Sequence, residues 1–233
     1  MDYLFEGVTG ALGLLFSGNE ETFSAILTTL KASSLSMCGA LILGLPGGFF
    51  LGYYNFPLKK QLRSVVDTLL ALPTVVVGLL VYAFISKQGP LGEMGLLFTV
   101  PGIAIAQMIL ILPIVVSLSA TAIESLDRRL RPTLLALGAR RGQILVTSLS
   151  EARFAVMTAA VTAYGRAISE VGISMMIGGN IKWSTRTVTT AIALETGKGQ
   201  FAMGIALGLV LLVISFTING LLVLLRGKDG RYT

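Results

Sequence analysis

The chain has 233 residues, of which 54% are hydrophobic and only 13% are charged, with a net charge of +6. A soluble globular domain carries about 25% charged residues, so this composition argues against an ordinary solvated surface. Because the chain has no histidine and a single cysteine, Cys38, histidine-dependent triads, histidine zinc sites and an internal disulfide are excluded. The pI of about 9.7 leaves a nucleic-acid partner open until the basic residues are placed.

The first 23 residues come before the longest apolar stretches. Glu6 and Glu20 bracket a charge-free run of 13 residues, which is short for the roughly 20 residues of a membrane-spanning helix. The acidic start has no basic segment and does not resemble a cleaved signal peptide. Segment 1–23 is therefore predicted as extracytoplasmic or interfacial, with a surface helix and a short sixth span both left open over residues 3–17. The apolar residues at helical spacing are Leu4, Val8, Leu12 and Leu15.

Long charge-free runs predict membrane-spanning helices. The four longest runs are 32–58, 68–86, 94–123 and 199–225. A fifth apolar stretch, 154–181, carries Arg166 and Glu170. Helices are favoured because lipid cannot satisfy the open edge of a sheet. We therefore predict an all-α, polytopic membrane protein with one transmembrane domain at 24–225, in which the five spans are 26–54, 65–86, 98–123, 155–178 and 201–225.

The lysines and arginines divide unevenly between the two sides of this arrangement. Twelve of the 18 lie on the side that holds the long loop at 124–153 and the tail at 226–233. The positive-inside rule makes that side cytoplasmic, so the N-terminus is expected outside and the C-terminus inside the cell membrane. The basic residues then report orientation, and no nucleic-acid partner is expected.

The loop at 124–153 is long enough to have a structure of its own. It carries an apolar stripe, a glycine at Gly138 and a second apolar segment, which predicts helix, break, helix. Such a stripe on a basic loop can lie on the membrane or dock into a partner, and the residues alone leave both open. The apolar residues are Leu130, Leu134, Leu135 and Leu137, then Ile144, Leu145 and Leu149.

This loop resembles the cytoplasmic motif of the membrane subunits of binding-protein-dependent ABC importers. The motif runs E-A-A-x-x-x-G and then I-x-L-P. Gly138-Ala139 matches its centre, while Pro132-Thr133-Leu134 stands in place of E-A-A and Ser148-Leu149-Ser150-Glu151 in place of I-x-L-P. The resemblance implies a type I importer permease fold whose loop couples to an ATPase. The coupling residues that it implies are Leu134, Leu137, Gly138, Ala139, Arg140 and Arg141.

The segments that follow resemble the molybdate and tungstate permeases of that family. These permeases have a glutamate-x-glycine before a glycine-glycine-asparagine and a threonine-rich turn. Here the segments are Arg166-Ala-Ile-Ser-Glu170-Val-Gly172, Ile177-Gly-Gly-Asn180 and Thr185-Arg186-Thr187. The resemblance, over about 24–225, implies import of an oxyanion, with tungstate or molybdate foremost and vanadate, sulfate and phosphate still open. The implied pathway or gate residues are Arg166, Ser169, Glu170, Gly172, Gly178, Gly179, Asn180, Thr185, Arg186 and Thr187.

The resemblance also implies partners. No G-x-x-x-x-G-K-[ST] sequence occurs in the chain, so ATP-Mg is expected on a pair of separate cytoplasmic ATPase subunits. A second copy of the chain, an extracytoplasmic solute-binding protein and membrane lipid complete the expected surroundings. No cofactor, metal ligand or catalytic residue is expected in this chain itself. An ion-gradient-driven transporter or channel, or a membrane-embedded enzyme, is disfavoured by the missing internal repeat and the scarcity of intramembrane carboxylates.

Two pairs of charged residues each allow two interpretations. A charged side chain at a helix centre costs about 2.5–3.5 kcal/mol on insertion scales, and Arg166 and Glu170 stand four residues apart, where they can pair. Such a pair either pins its helix in the bundle or contributes to a pathway or gate. Lys182 and Arg186 either form a solvated rim or attract anions and an acidic docking protein.

Overall fold

The fold is built from helices alone over residues 2–16, 19–127 and 129–227, the parts of the chain that a computed structural model describes. Within these ranges there is no strand, which confirms the all-α class. A short 3-10 turn, Gly92–Met94, lies between the fourth and fifth helices. The predicted tail lies outside the described residues from position 228 onward. The helices are α1 Asp2–Phe16, α2 Glu20–Tyr53, α3 Lys59–Leu69, α4 Thr74–Ile85, α5 Val100–Glu124, α6 Leu130–Ala136, α7 Arg141–Ile168, α8 Gly172–Gly178, α9 Val188–Gly197 and α10 Phe201–Gly227.

Four described helices, α2, α5, α7 and α10, are long and apolar enough to cross a membrane. Helices α3 and α4 pass the same test together but are bent by 96° at the break between them. Pro73 causes this break, since its ring disfavours a helical conformation at Leu72 and it has no backbone N–H. Counting the bent pair as one span gives five spans, the number predicted from the sequence.

The fourth span lies elsewhere than predicted. We expected a helix over 155–178, but α7 covers Arg141–Ile168 and a separate α8 begins at Gly172. The helix starts early because the polar-looking stretch after Gly138 buries Ile144 and Ala152 at helical spacing. It stops early because a Glu170 carboxylate oxygen accepts the backbone N–H of Ile173 at 3.2 Å and caps α8 instead.

Helices α2 and α5 pack in backbone contact. A Cβ atom added to Gly48 would lie 2.8 Å from the carbonyl oxygen of Val116, and one added to Gly52 would lie 2.6 Å from that of Ala120. Both distances are too short for a side chain, so these glycines permit the approach. The small-residue face of α2 is therefore used within the chain.

The N-terminal stretch is helical and packs on α10. A Cβ atom at Gly7 would lie 2.5 Å from Cγ2 of Ile205, while Ala11 and Leu14 are buried in a cluster with Val210. Helix α1 has 15 residues, which is about 22 Å of helix against a hydrocarbon core of about 30 Å. The predicted helix is confirmed, and it is shorter than a full span.

Candidate functional site

A buried carboxylate lies at the break between α7 and α8. Glu170 is only 2% exposed, and its Oε2 lies 3.2 Å from Nη1 of Arg166, whose side chain is 40% exposed. The predicted pairing of these two residues is confirmed. The pair is asymmetric, because its negative end points into the bundle and its positive end reaches the surface of α7.

Polar side chains from other helices hold this break. Gln107 of α5 donates to the carbonyl of Ala167 and to Oγ of Ser174, both at 3.3 Å. Ser174 and Thr189 donate to the carbonyl oxygen of Glu170, at 3.2 and 2.9 Å. Carbonyls released from a helix inside a membrane need such partners. The sequence patterns did not indicate Gln107 and Thr189. A lone glutamine in an apolar run is nevertheless a sign of a buried polar contact.

Helix α4 approaches the carboxylate beside Gly172. A Cβ atom at Gly172 would lie 3.4 Å from Oε1 of Glu170 and 3.5 Å from Oγ1 of Thr74, the first residue of α4. One turn later, a Cβ atom at Gly78 would lie 2.9 Å from Sδ of Met176 in α8. The bent α3–α4 pair is thus packed directly against the Glu170 break.

The loop between α8 and α9 is a tightly held turn. Gly179 and Asn180 both have left-handed backbone conformations, with φ of 69° and 52°. Thr185 donates to the carbonyl of Gly178 and accepts the N–H of Ile181. Thr187 caps α9, and Thr185 and Thr187 are almost fully buried. In this structure the two threonine hydroxyls hold the loop and do not face a surface.

Both basic residues of that loop are paired with one glutamate. Lys182 Nζ lies 2.7 Å from Oε2 of Glu21, and Arg186 binds the other oxygen of the same carboxylate. Arg186 also donates to Oδ1 of Asn180 at 3.2 Å. The loop is therefore clamped to the first turn of α2. No local sequence pattern indicated Glu21, because it lies far along the chain from Lys182 and Arg186.

The loop between α5 and α7 has the predicted helix, break, helix structure. Helix α6 ends in a Schellman motif, in which Ala139 N donates to the carbonyl of Leu134 and Gly138 N to that of Leu135, both at 3.0 Å. Gly138 has a φ of 75°, which a residue with a Cβ atom rarely adopts. Leu137 is 77% exposed and Arg140 is also at the surface. The side chain of Arg141 lies outside the described residues.

An ion pair and a hydrogen bond join helix α3 to the C-terminal end of α5, and no sequence pattern indicated these contacts. Lys59 Nζ lies 3.1 Å from Oε1 of Glu124, and Arg63 donates to Oγ1 of Thr121 at 2.6 Å. A cavity of about 470 Å³ is lined by Lys59 and Glu124 and by Leu130, the first residue of α6. The ends of α3 and α5 thus meet the loop at one place.

Apolar helices of spanning length, a charge pair at a helix break and an exposed apolar helix on a basic loop together describe a membrane transport subunit. The model of one family, binding-protein-dependent transport system inner membrane component, matches residues 44–228. The chain belongs to this family of multi-pass ABC importer permeases.

Several characterised relatives are similar over most of their length. The chain is 48% identical over 219 residues to the tungstate uptake system permease protein TupB of Campylobacter jejuni, covering 94% of this chain and 92% of the relative. It is 38% identical over 222 residues to the TupB protein of Peptoclostridium acidaminophilum, covering 95% and 97%. It is 30% identical over 209 residues to the molybdenum transport system permease protein ModB of Escherichia coli K12, covering 83% and 91%.

Proposed function

We propose that this chain is the permease of an ABC importer that moves tungstate, or the similar molybdate, into the cytoplasm. The observation that carries the proposal is the likeness to two tungstate uptake permeases over more than nine-tenths of the chain. The hydrolysis of ATP belongs to a pair of separate ATPase subunits, and substrate capture belongs to an extracytoplasmic binding protein. This chain forms one half of the translocation path, and a second copy of the chain forms the other half.

The charge pair suits passage of a dianion better than tight binding of one. Arg166 reaches the surface of α7 and offers positive charge there, while Glu170 neutralises it from the buried side. Conduction requires sites weak enough to release the ion. Ser169, which is exposed beside this pair, adds a neutral hydroxyl. The buried threonines, with Gly178 and Gly179, form the loop that holds this arrangement.

Helix α6 is the proposed docking element for the ATPase. Leu135 and Leu137 are 54% and 77% exposed, on the side of the chain that we place in the cytoplasm. The cavity behind α6 reaches Lys59 and Glu124, so displacement of α6 acts on the ends of α3 and α5. Helix α4 continues α3 across a bend and packs on α8, next to Glu170.

Reconstitution in proteoliposomes tests this function. With the ATPase and the binding protein present, we expect tungstate uptake that requires ATP hydrolysis and is insensitive to collapse of the proton gradient. Calorimetry of the binding protein with tungstate, molybdate, vanadate, sulfate and phosphate identifies the preferred oxyanion. Gradient-driven uptake by this chain alone would instead establish the secondary transporter.

A further inference from the structure

Helix α7 carries a polar row on a face that no other described helix covers. Its members are spaced by four, four and three residues, which places them on one side of the helix. The three hydroxyl residues are exposed, and the Arg166 side chain is 40% exposed. The row consists of Thr158, Thr162, Arg166 and Ser169. The face of α7 that packs on the bundle includes four buried alanines instead: Ala152, Ala159, Ala163 and Ala167.

This row differs from the exposed face of α10, which is apolar apart from Thr217 over the described part of that helix. Leu212, Val213 and Phe216 are 51%, 52% and 72% exposed there. A surface that faces hydrocarbon is expected to look like that of α10, because lipid offers no partner to polar groups. Thr217 is a hydroxyl residue exposed on α10, beside Phe216, and therefore provides a matched reference for the α7 threonines.

The Thr162 hydroxyl can turn to a ligand at low cost. It donates to the carbonyl of Thr158 at 2.9 Å. That carbonyl also accepts a backbone N–H within the helix, so it keeps one partner when the hydroxyl rotates away. A rotated hydroxyl donates a hydrogen bond without adding charge, which suits a weak site for a dianion.

We propose that this polar row of α7 lines the oxyanion path and faces the second copy of the chain. The proposal rests on the oxyanion import proposed above. From Thr158 to Ser169 the row rises about 16 Å, more than half of the hydrocarbon thickness of about 30 Å. At the Thr158 end of the row, a cavity of about 460 Å³ is lined by Thr158, Glu151 and Ser125. The row thus runs from the level of Arg166 to a cavity beside Ser125, at the end of α5.

Cysteine accessibility tests the placement of the row. In a Cys38→Ser background, Thr158→Cys, Thr162→Cys and Thr217→Cys are assembled with the ATPase and the binding protein in proteoliposomes. A thiol in hydrocarbon does not ionise and is unreactive, so a charged, water-soluble thiol reagent should modify the two α7 positions at least tenfold faster than position 217. Tungstate with ATP should slow the α7 reactions. Equal, slow labelling at all three positions would place the row against lipid and overturn the proposal.

Removal of one hydroxyl tests its role in transport. Thr162→Val keeps the shape of the side chain and loses the donor, so tungstate uptake should fall about three- to tenfold, the equivalent of one hydrogen bond. Thr217→Val should leave uptake unchanged, and an equal effect of the two changes would contradict the proposal. Failure of the unsubstituted complex to import tungstate, with the α7 positions still accessible, would reject the proposed substrate and leave the polar path standing.

Discussion

Two short helices at opposite ends of α7 both end on a glycine in a left-handed conformation, but their surroundings differ. At Gly179, where φ is 69°, an added Cβ atom would lie 2.7 Å from the ring of Phe98. At Gly138, where φ is 75°, it would meet nothing within 4 Å. The same backbone conformation therefore follows a packed helix at α8 and an exposed helix at α6. The turn at Gly138 is ordered by hydrogen bonds but packs against nothing else in the chain, which suits the ATPase contact proposed for α6.

The largest effect is expected at the packed end, where Arg166→Ala leaves a buried carboxylate without its cation. Removing one partner of a buried pair costs about 3–5 kcal/mol, and the partial exposure of Arg166 places this change near the lower figure. Thermal unfolding of the purified complex should show the loss. Arg166→Ala with Glu170→Gln should recover most of it, because Gln keeps an acceptor for Ile173.

A matched surface pair provides the control for that prediction. Lys198 lies 2.8 Å from Glu195 and is 49% exposed, so Lys198→Ala should cost less than about 1 kcal/mol. If the double variant at Arg166 and Glu170 is as unstable as the single one, the two residues act separately. Their ion pair then does not stabilise the break between α7 and α8.

An intermediate effect is expected from alanine at the two left-handed glycines. Gly138→Ala strains only the backbone, at a cost of about 1 kcal/mol. Gly179→Ala adds a clash with Phe98, whose N–H is fixed to the carbonyl of Ile177 at 2.8 Å, so about 2 kcal/mol is expected. Parallel unfolding measurements of the two variants test the difference, and equal losses would remove the distinction between packed and open turns.

The smallest effect on stability is expected from Gly138→Asn, whereas Gly138→Glu tests the coupling role of the loop. Asparagine tolerates the left-handed conformation, so Gly138→Asn should assemble and import substrate nearly as the unsubstituted chain does. Gly138→Glu should insert normally but lose binding-protein-stimulated ATP hydrolysis, because strain and charge disturb the docking helix. Normal stimulation by the Gly138→Glu complex would show that this loop does not couple.

Sequence patterns predicted those features that depend on neighbours along the chain. The charge-free runs located α2, α5 and α10, the spacing of Arg166 and Glu170 indicated their pair, and Gly138 marked a real turn. The pattern misplaced α7, because Glu151 and Arg153 at its surface look like loop residues although Ala152 between them is buried.

Other features arise only when distant segments meet. The clamp on the α8–α9 loop needs Glu21, and the support of the Glu170 carbonyl needs Thr189. Neither residue stands in a pattern that names its partner. Gln107 is visible in the sequence as a polar residue in an apolar run, but its role is not. The carbonyl that it binds is near the end of α7, and the sequence pattern does not predict where α7 ends.

The glycine contacts between α2 and α5 determine which parts of the permease can move independently. With Gly48 and Gly52 against the backbone of α5, no layer of side chains is available there to slide or repack. We therefore expect the two helices to move as one rigid unit. The joint is the three-residue gap before Gly172, where α7 gives way to α8 and side chains replace helical hydrogen bonds. Glu170 lies at this joint, where its carboxylate pairs with Arg166 and accepts the backbone N–H of Ile173.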